Sequence, residues 1–176
     1  MEATTVRRFK VFWAWQDDKE EAWLREMSLK GLHLSPPLIP CVYTFTRGEP
    51  HDDAYRLDYV PRMSRAEYGG YLQVFRDAGW KHLGEMLGWQ YFRKPVQAGE
   101  APEIYTDPES KIQKYKRLLG YLIIFLPIFI VSITRIGDRP RAPIFEALNV
   151  ATALIFLGLT YGLARIAWRI RQLRRL

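Results

Sequence analysis

The segment DDKEEAWLREMSLKG at residues 17–31 and the segment RAEYGGYLQVFRDAG at residues 65–79 decide the fold, because one offset of 48 positions lays the first on the second. In each, bulky apolar residues recur at turn spacing: Trp23, Leu24 and Met27 in the first, Tyr71, Leu72 and Phe75 in the second. Each ends on a glycine, Gly31 or Gly79, so the spacing predicts two helices stopped where positive φ is needed. The same offset pairs Phe9 with Leu57 and Val11 with Tyr59 before the helices, and Tyr43 with Tyr91 after them. A constant offset over so many positions is the mark of an internal repeat.

Working outward, VRRFKVFWAW (6–15), CVYTFTRG (41–48), AYRLDYV (54–60) and the last element, Trp80–Lys94, read as strands. Asp17 and Asp18 are the expected caps of the first helix, with Glu20 and Glu21 at capping-box spacing, and Ser64 with Glu67 does the same for the second. SPPLIP (35–40) breaks the chain before the second strand, and GEPHDD (48–53) forms the turn of a hairpin. The predicted order is β-α-β-β-α-β, an α+β domain. Two such halves with right-handed crossovers give a ferredoxin-like sheet with both helices on one face.

Two helices cover one side of such a sheet. Neighbours such as Tyr91 and Phe92 must point to opposite faces, so some aromatics are left for the uncovered side. Trp15, Tyr43, Tyr55, Trp89 and Tyr91 are the candidate interaction surface. Such a face takes a second copy or the chain's own segment 96–117, a protein partner, or an apolar or cationic small molecule.

The charge is divided along the chain. Residues 1–110 carry 14 Lys/Arg and 17 Asp/Glu, net −3, and residues 111–176 carry 12 and 2, net +10. Within the basic part lie 17 uncharged residues, LLGYLIIFLPIFIVSIT (118–134), and 18 more, ALNVATALIFLGLTYGLA (147–164), extended by Ile166, Ala167 and Trp168. The first is at the short end of what can cross about 30 Å of hydrocarbon as a helix, and the second is longer than its uncharged core. Lys111, Lys114, Lys116 and Arg117 precede the first span. Arg165, Arg169, Arg171, Arg174 and Arg175 flank or follow the end of the second, while the loop between the spans holds Arg135, Arg139 and Arg141. The basic excess puts both termini in the cytoplasm of a multi-pass protein of the inner or plasma membrane. The first residues contain no apolar run of signal-peptide length. Pro127 predicts a kink in the first span, and Gly158 with Gly162 form a small-xxx-small pair for close helix packing in the second.

Chemistry-bearing patterns are sparse. One cysteine, Cys41, excludes an intrachain disulfide and reads as a small buried apolar residue. His33, His51 and His82 have no partner at metal-ligand helical spacing, and HDD at 51–53 reads as a polar turn. No phosphate loop follows a strand, and the −3 charge of the domain argues against nucleic acid. No catalytic, cofactor-binding or metal-ligating residue is assigned.

The segments FKVFWAWQDDKEEAWLREMSLKGLHL, CVYTFTRGEP, YRLDYVP and FRDAGWKHLGEMLGWQYFRKP resemble the bacterial domain-of-unknown-function family numbered 2812, over about residues 5–96. The match rests on WL at 23–24, KG at 30–31, YTF at 43–45, YRLDY at 55–59, AGW at 78–80 and YFRK at 91–94. The resemblance implies membrane helices after the domain and genes placed beside PadR-like repressors, hence a regulated envelope or stress role. It supplies no catalytic residues.

The expected organisation is a ferredoxin-like cytosolic domain (1–96), a linker and basic juxtamembrane segment (97–117), a first transmembrane helix (118–134), an external loop (135–146), a second transmembrane helix (147–168) and a basic cytosolic tail (169–176). The leading function is a non-catalytic membrane-anchored interaction or sensing module. The alternatives are a membrane enzyme or transporter accessory subunit, with Arg56, Asp58, Arg93 and His82 converging on a pocket, and a structural homo-oligomer.

Overall fold

The computed structural model describes residues 4–36, 38–97, 102–105, 108–134 and 142–175. The expected external loop therefore lies largely outside the described residues. The chain divides into two units, residues 1–107 and residues 108–176.

The first unit is a mixed α+β domain: β1 (Thr5–Phe9), α1 (Asp17–Leu29), β2 (Leu32–Leu34), β3 (Val42–Arg47), β4 (Asp53–Tyr59), α2 (Arg65–Asp77), β5 (Lys81–Met86) and β6 (Trp89–Pro95). The 48-residue offset maps α1 onto α2 end to end, and Gly31 and Gly79 both take positive φ, at 71° and 82°. Each half is β-α-β-β, and each makes its own antiparallel sheet with the last strand in the middle, β1-β3-β2 and β4-β6-β5.

This corrects the expected count and pairing. Four strands in one interleaved sheet become six strands in two sheets, because the short runs LHL and KHLGEM after each glycine form strands of their own. Each half thereby closes its crossover within itself, as a split β-α-β unit. The long first strand also shortens. Past Lys10, whose N–H donates to Cys41 O at 3.0 Å, residues 11–16 leave the sheet, and Trp13 N–H donates to Gln16 Oε1 at the start of α1. Gln16, not Asp17 or Asp18, is the N-cap of α1, while Ser64 and Glu67 form the expected capping box of α2.

The core draws on both halves. Trp23 packs edge-on against Tyr43 and Phe45, with centroids 4.9 and 5.7 Å apart, and Phe75 stacks on Phe92 at 4.3 Å beside Ala54 and Trp80. Val96 and Ile104 pack on that second cluster, so the chain beyond β6 folds back over its own domain.

The second unit consists of two long apolar helices, α3 (Pro108–Thr134) and α4 (Pro143–Leu173). α3 runs through Pro127 without a break. Only 6% of the most apolar stretch of each is buried, a pattern opposite to that of a soluble core helix. The guanidinium of Arg169 lies 5.1 Å from the Tyr115 ring centroid, which brings the start of α3 beside the end of α4. The protein is membrane-associated, with two candidate membrane-spanning helices.

Candidate functional site

The five aromatic residues expected on an open face separate. Tyr43, Tyr55, Trp89 and Tyr91 are buried, at 5%, 1%, 8% and 1% exposure, and only Trp15 is half-buried. The expectation of an uncovered sheet face therefore fails for four of the five. Tyr43 is covered by Trp23 of α1 at 4.9 Å, and Trp89 packs on Tyr59 of its own sheet at 5.1 Å. The Gly158–Gly162 pair separates too. Gly162 joins the buried stripe of α4 with Thr152, Ile166 and Ile170, whereas a Cβ at Gly158 would meet nothing within 4 Å.

The two repeat-related tyrosines meet on one carboxylate. Tyr43 Oη on β3 and Tyr91 Oη on β6 both donate to Glu20 Oε1 of α1, at 2.8 and 2.6 Å. Burial pushes the Glu20 carboxyl above its ordinary range, against the lowering effect of the two hydroxyls, and Asp17 adds to the rise. Burial, then the Glu20 charge, holds both phenols well above theirs. The group is closed to substrate and ties the two sheets to one helix. Sequence reasoning placed Glu20 in a capping box, and its local pattern carries no signal that separates that role from burial beneath two tyrosines.

Ser28, His33 and Asp53 form a second cluster. Ser28 Oγ donates to Asp53 Oδ2 at 2.9 Å and sits 3.1 Å from His33 Nδ1, while His33 Nε2 faces Glu49 O at 2.8 Å. A nucleophilic triad needs the serine on one ring nitrogen and the carboxylate on the other. Here both lie on the Nδ1 side, and Ser28 is fully buried. The HDD turn is likewise divided among partners, with Asp52 bonded to Arg25 at 2.6 Å and His51 beside the His33 ring at 5.6 Å. No group of three potential metal ligands occurs among the described residues.

The polar residues of the enzyme alternative are held by different partners. Arg56 pairs with Glu21 and Glu103, Asp58 accepts from Tyr71 and Tyr105, His82 bonds to Gln90 at 2.9 Å, and Arg93 lies 3.7 Å from Asp53. An open cleft of about 610 Å³ follows β4, with Arg62, Arg65, Glu67, Tyr68, Glu85 and Gln90 among its walls, and none of those four residues lines it. Glu67 is engaged by the Ser64 capping box. Cys41 is half-buried rather than buried, at a φ of 63° where the loop enters β3.

Among the apolar side chains that the domain leaves in solvent are those of the stretch that continues β1. Phe9, Val11 and Trp13 are 74%, 51% and 56% exposed, and the Trp13 ring stacks on Trp15 at 5.3 Å with 9° between planes. Sequence reasoning put these residues in a paired strand. Among the described residues, the strand that does pair is short, and the aromatic run beyond it lies outside both sheets.

A family model described as a protein of unknown function, DUF2812, matches residues 16–127. The chain belongs to that family. The matched region begins at the cap of α1, includes the whole second half of the domain and ends within α3, so the DUF2812 region takes in part of the first apolar helix. Neither a curated protein nor a solved structure matches the chain.

Proposed function

We propose that this DUF2812 protein is a non-catalytic, membrane-anchored interaction or sensing module, with its duplicated domain and both termini on the cytoplasmic side of a bacterial inner membrane. The contact surface in this reading is the exposed run Phe9–Trp15, in place of the sheet face first expected. One observation carries the reading: the polar clusters of the domain are engaged by partners within it, while Trp13, stacked on half-buried Trp15, stands in water with Phe9 and Val11. Each large apolar side chain removed from water contributes about 1.5–3 kcal/mol to a complex before the costs of association. The basic flanks of α3 and α4 support the orientation. The split β-α-β halves support a distant relation to ferredoxin-like folds, and the family resemblance supports a role regulated alongside PadR-like repressors.

The test is a photo-crosslinking residue placed at Trp13 in the full-length protein in intact membranes, with the same residue at Val74, 67% exposed on α2, as reference. The module reading expects an adduct at Trp13 well above that at Val74. Equal yields at the two sites would sink it. An enzyme reading gains weight only if a ligand is found in the cleft beside Tyr68 and Gln90.

A further inference from the structure

We infer that the contact surface just proposed has a specific occupant: the segment Arg7–Trp13 docks on the anionic surface of a lipid bilayer. The inference rests on the module reading and names its partner. Arg7, Arg8 and Lys10 are exposed, as are Phe9, Val11 and Trp13 in the same seven residues. From Thr4 to Gln16 the chain has those three cations and no carboxylate, inside a domain whose net charge is negative. The field of such a domain favours turning a basic edge toward an anionic plane. Glu26, the carboxylate whose titration senses Lys10, is engaged by Lys30.

The apolar side chains select lipid over a purely polyanionic partner. Basic side chains gain at an anionic headgroup layer, and Trp and Phe settle at the boundary between headgroups and acyl chains, where a ring is half in water and half in hydrocarbon. Stacking of Trp13 on Trp15 fixes the orientation of the larger ring before contact, which lowers the ordering cost of docking. The membrane is also at hand. Tyr105 is bonded to Asp58, and residues 106–117 separate it from the uncharged run of α3 that begins at Leu118. A domain tethered to the bilayer by its own chain samples that surface at high effective concentration, so weak individual contacts suffice.

The repeat gives an internal reference. β4, the equivalent of β1, is buried along its length, because Glu21 of α1 accepts the Leu57 N–H at 2.8 Å and Glu103 and Tyr105 bond to Arg56 and Asp58. β1 is exposed at four of its five residues, and α2 carries Gly69 and Gly70 where α1 carries Glu21 and Ala22. The cover supplied internally to one strand is thus absent from its equivalent among the described residues, at the place where the cations and aromatics are gathered.

The experiment uses the full-length protein in nanodiscs, with Cys41→Ser and Val11→Cys carrying an environment-sensitive fluorophore and acrylamide as a neutral quencher. The reference protein carries Val74→Cys instead. Docking predicts that quenching at position 11 falls severalfold when about a third of the phosphatidylcholine is replaced by phosphatidylglycerol, with a blue-shifted emission. About 0.5 M salt, or the triple variant Arg7→Glu, Arg8→Glu, Lys10→Glu, restores the phosphatidylcholine value, and position 74 stays unchanged. Thermal unfolding of the triple variant within a few degrees of the parent shows that its loss is local. Equal quenching in both lipids overturns lipid docking. So does protection that follows the number of protein copies per disc instead of lipid charge, or an adduct at Trp13 to protein alone, and both of these leave the module reading standing. Equal adduct yields at Trp13 and Val74 remove the module reading itself.

Discussion

The two halves of the domain share a plan, yet they treat their helices differently. α1 serves both halves: Glu20 takes the hydroxyls of Tyr43 and Tyr91, Glu21 caps the Leu57 N–H, Arg25 pairs with Asp52 and Ser28 donates to Asp53. The residues at the equivalent positions of α2 are Tyr68, Gly69, Gln73 and Arg76, and no comparable set of bonds from them to β1 occurs among the described residues. A duplicated backbone therefore needs no duplicated interface. Four polar side chains make the one helix a joint, and their equivalents on the other are Tyr68, Gly69, Gln73 and Arg76.

The largest effect that tests this contrast is at Glu20. Glu20→Ala leaves two buried hydroxyls without their acceptor, and chemical denaturation in detergent should show a loss of about 2–5 kcal/mol. Tyr68→Ala, at the equivalent position, removes one half-exposed hydrogen bond to Gln90 and should cost about 1 kcal/mol. Similar losses at the two sites would break the comparison. Glu20→Gln sharpens it, since an amide oxygen still accepts both hydroxyls. Because burial raises the Glu20 pKa in the folded state, its contribution is fully present below the ordinary value of 4.5 and is lost as pH climbs through the raised value. The stability of Glu20→Gln relative to the parent should therefore increase as pH rises from about 4.5 through the raised value and level off above it.

The paired glycines come next. A Cβ on Gly31 would lie 2.4 Å from Gly48 O, whereas one on Gly79 would meet only the Lys94 side chain at 3.5 Å. Gly31→Ala should cost about 2 kcal/mol or more, by clash added to backbone strain, and Gly79→Ala about 1 kcal/mol by strain alone. Smaller still is the exchange of Ala22 with its equivalent Gly70. Gly70→Ala should stabilise by about 0.5–1 kcal/mol in open space, and Ala22→Gly should destabilise by as much. The smallest expected effect is at the exposed Arg25–Asp52 bridge. There Arg25→Ala should change stability by less than about 1 kcal/mol and by less again in high salt.

Much of this plan was legible in the sequence. The helices, their terminal glycines, the second capping box and the repeat offset follow from local pattern, which short-range sterics and hydrogen bonds enforce. Sheet pairing did not follow. The three residues of β2 are too few to show alternation, and Gly84 with the irregular register at His82 disrupts it in β5. The aromatic surface was misplaced for a related reason. Period-two patterning says that Tyr91 and Phe92 diverge, and it is silent on whether a second sheet waits on the other side. Glu20 was hidden because a buried carboxylate and a capping carboxylate occupy the same first turn of a helix. Only tertiary structure, bringing two distant tyrosines together, tells them apart.

The fold-back of residues 103–105 bears on how the domain would carry load. The chain leaves toward α3 from contacts on Arg56, Asp58 and the Phe75–Phe92 cluster rather than from the free end of β6. Tension along the backbone would reach Tyr105 and Glu103 first, peeling a few side-chain bonds in sequence before it sheared the seven-residue β4–β6 ladder. Such a strap acts as a mechanical fuse, yielding at low force while the sheets behind it stay intact.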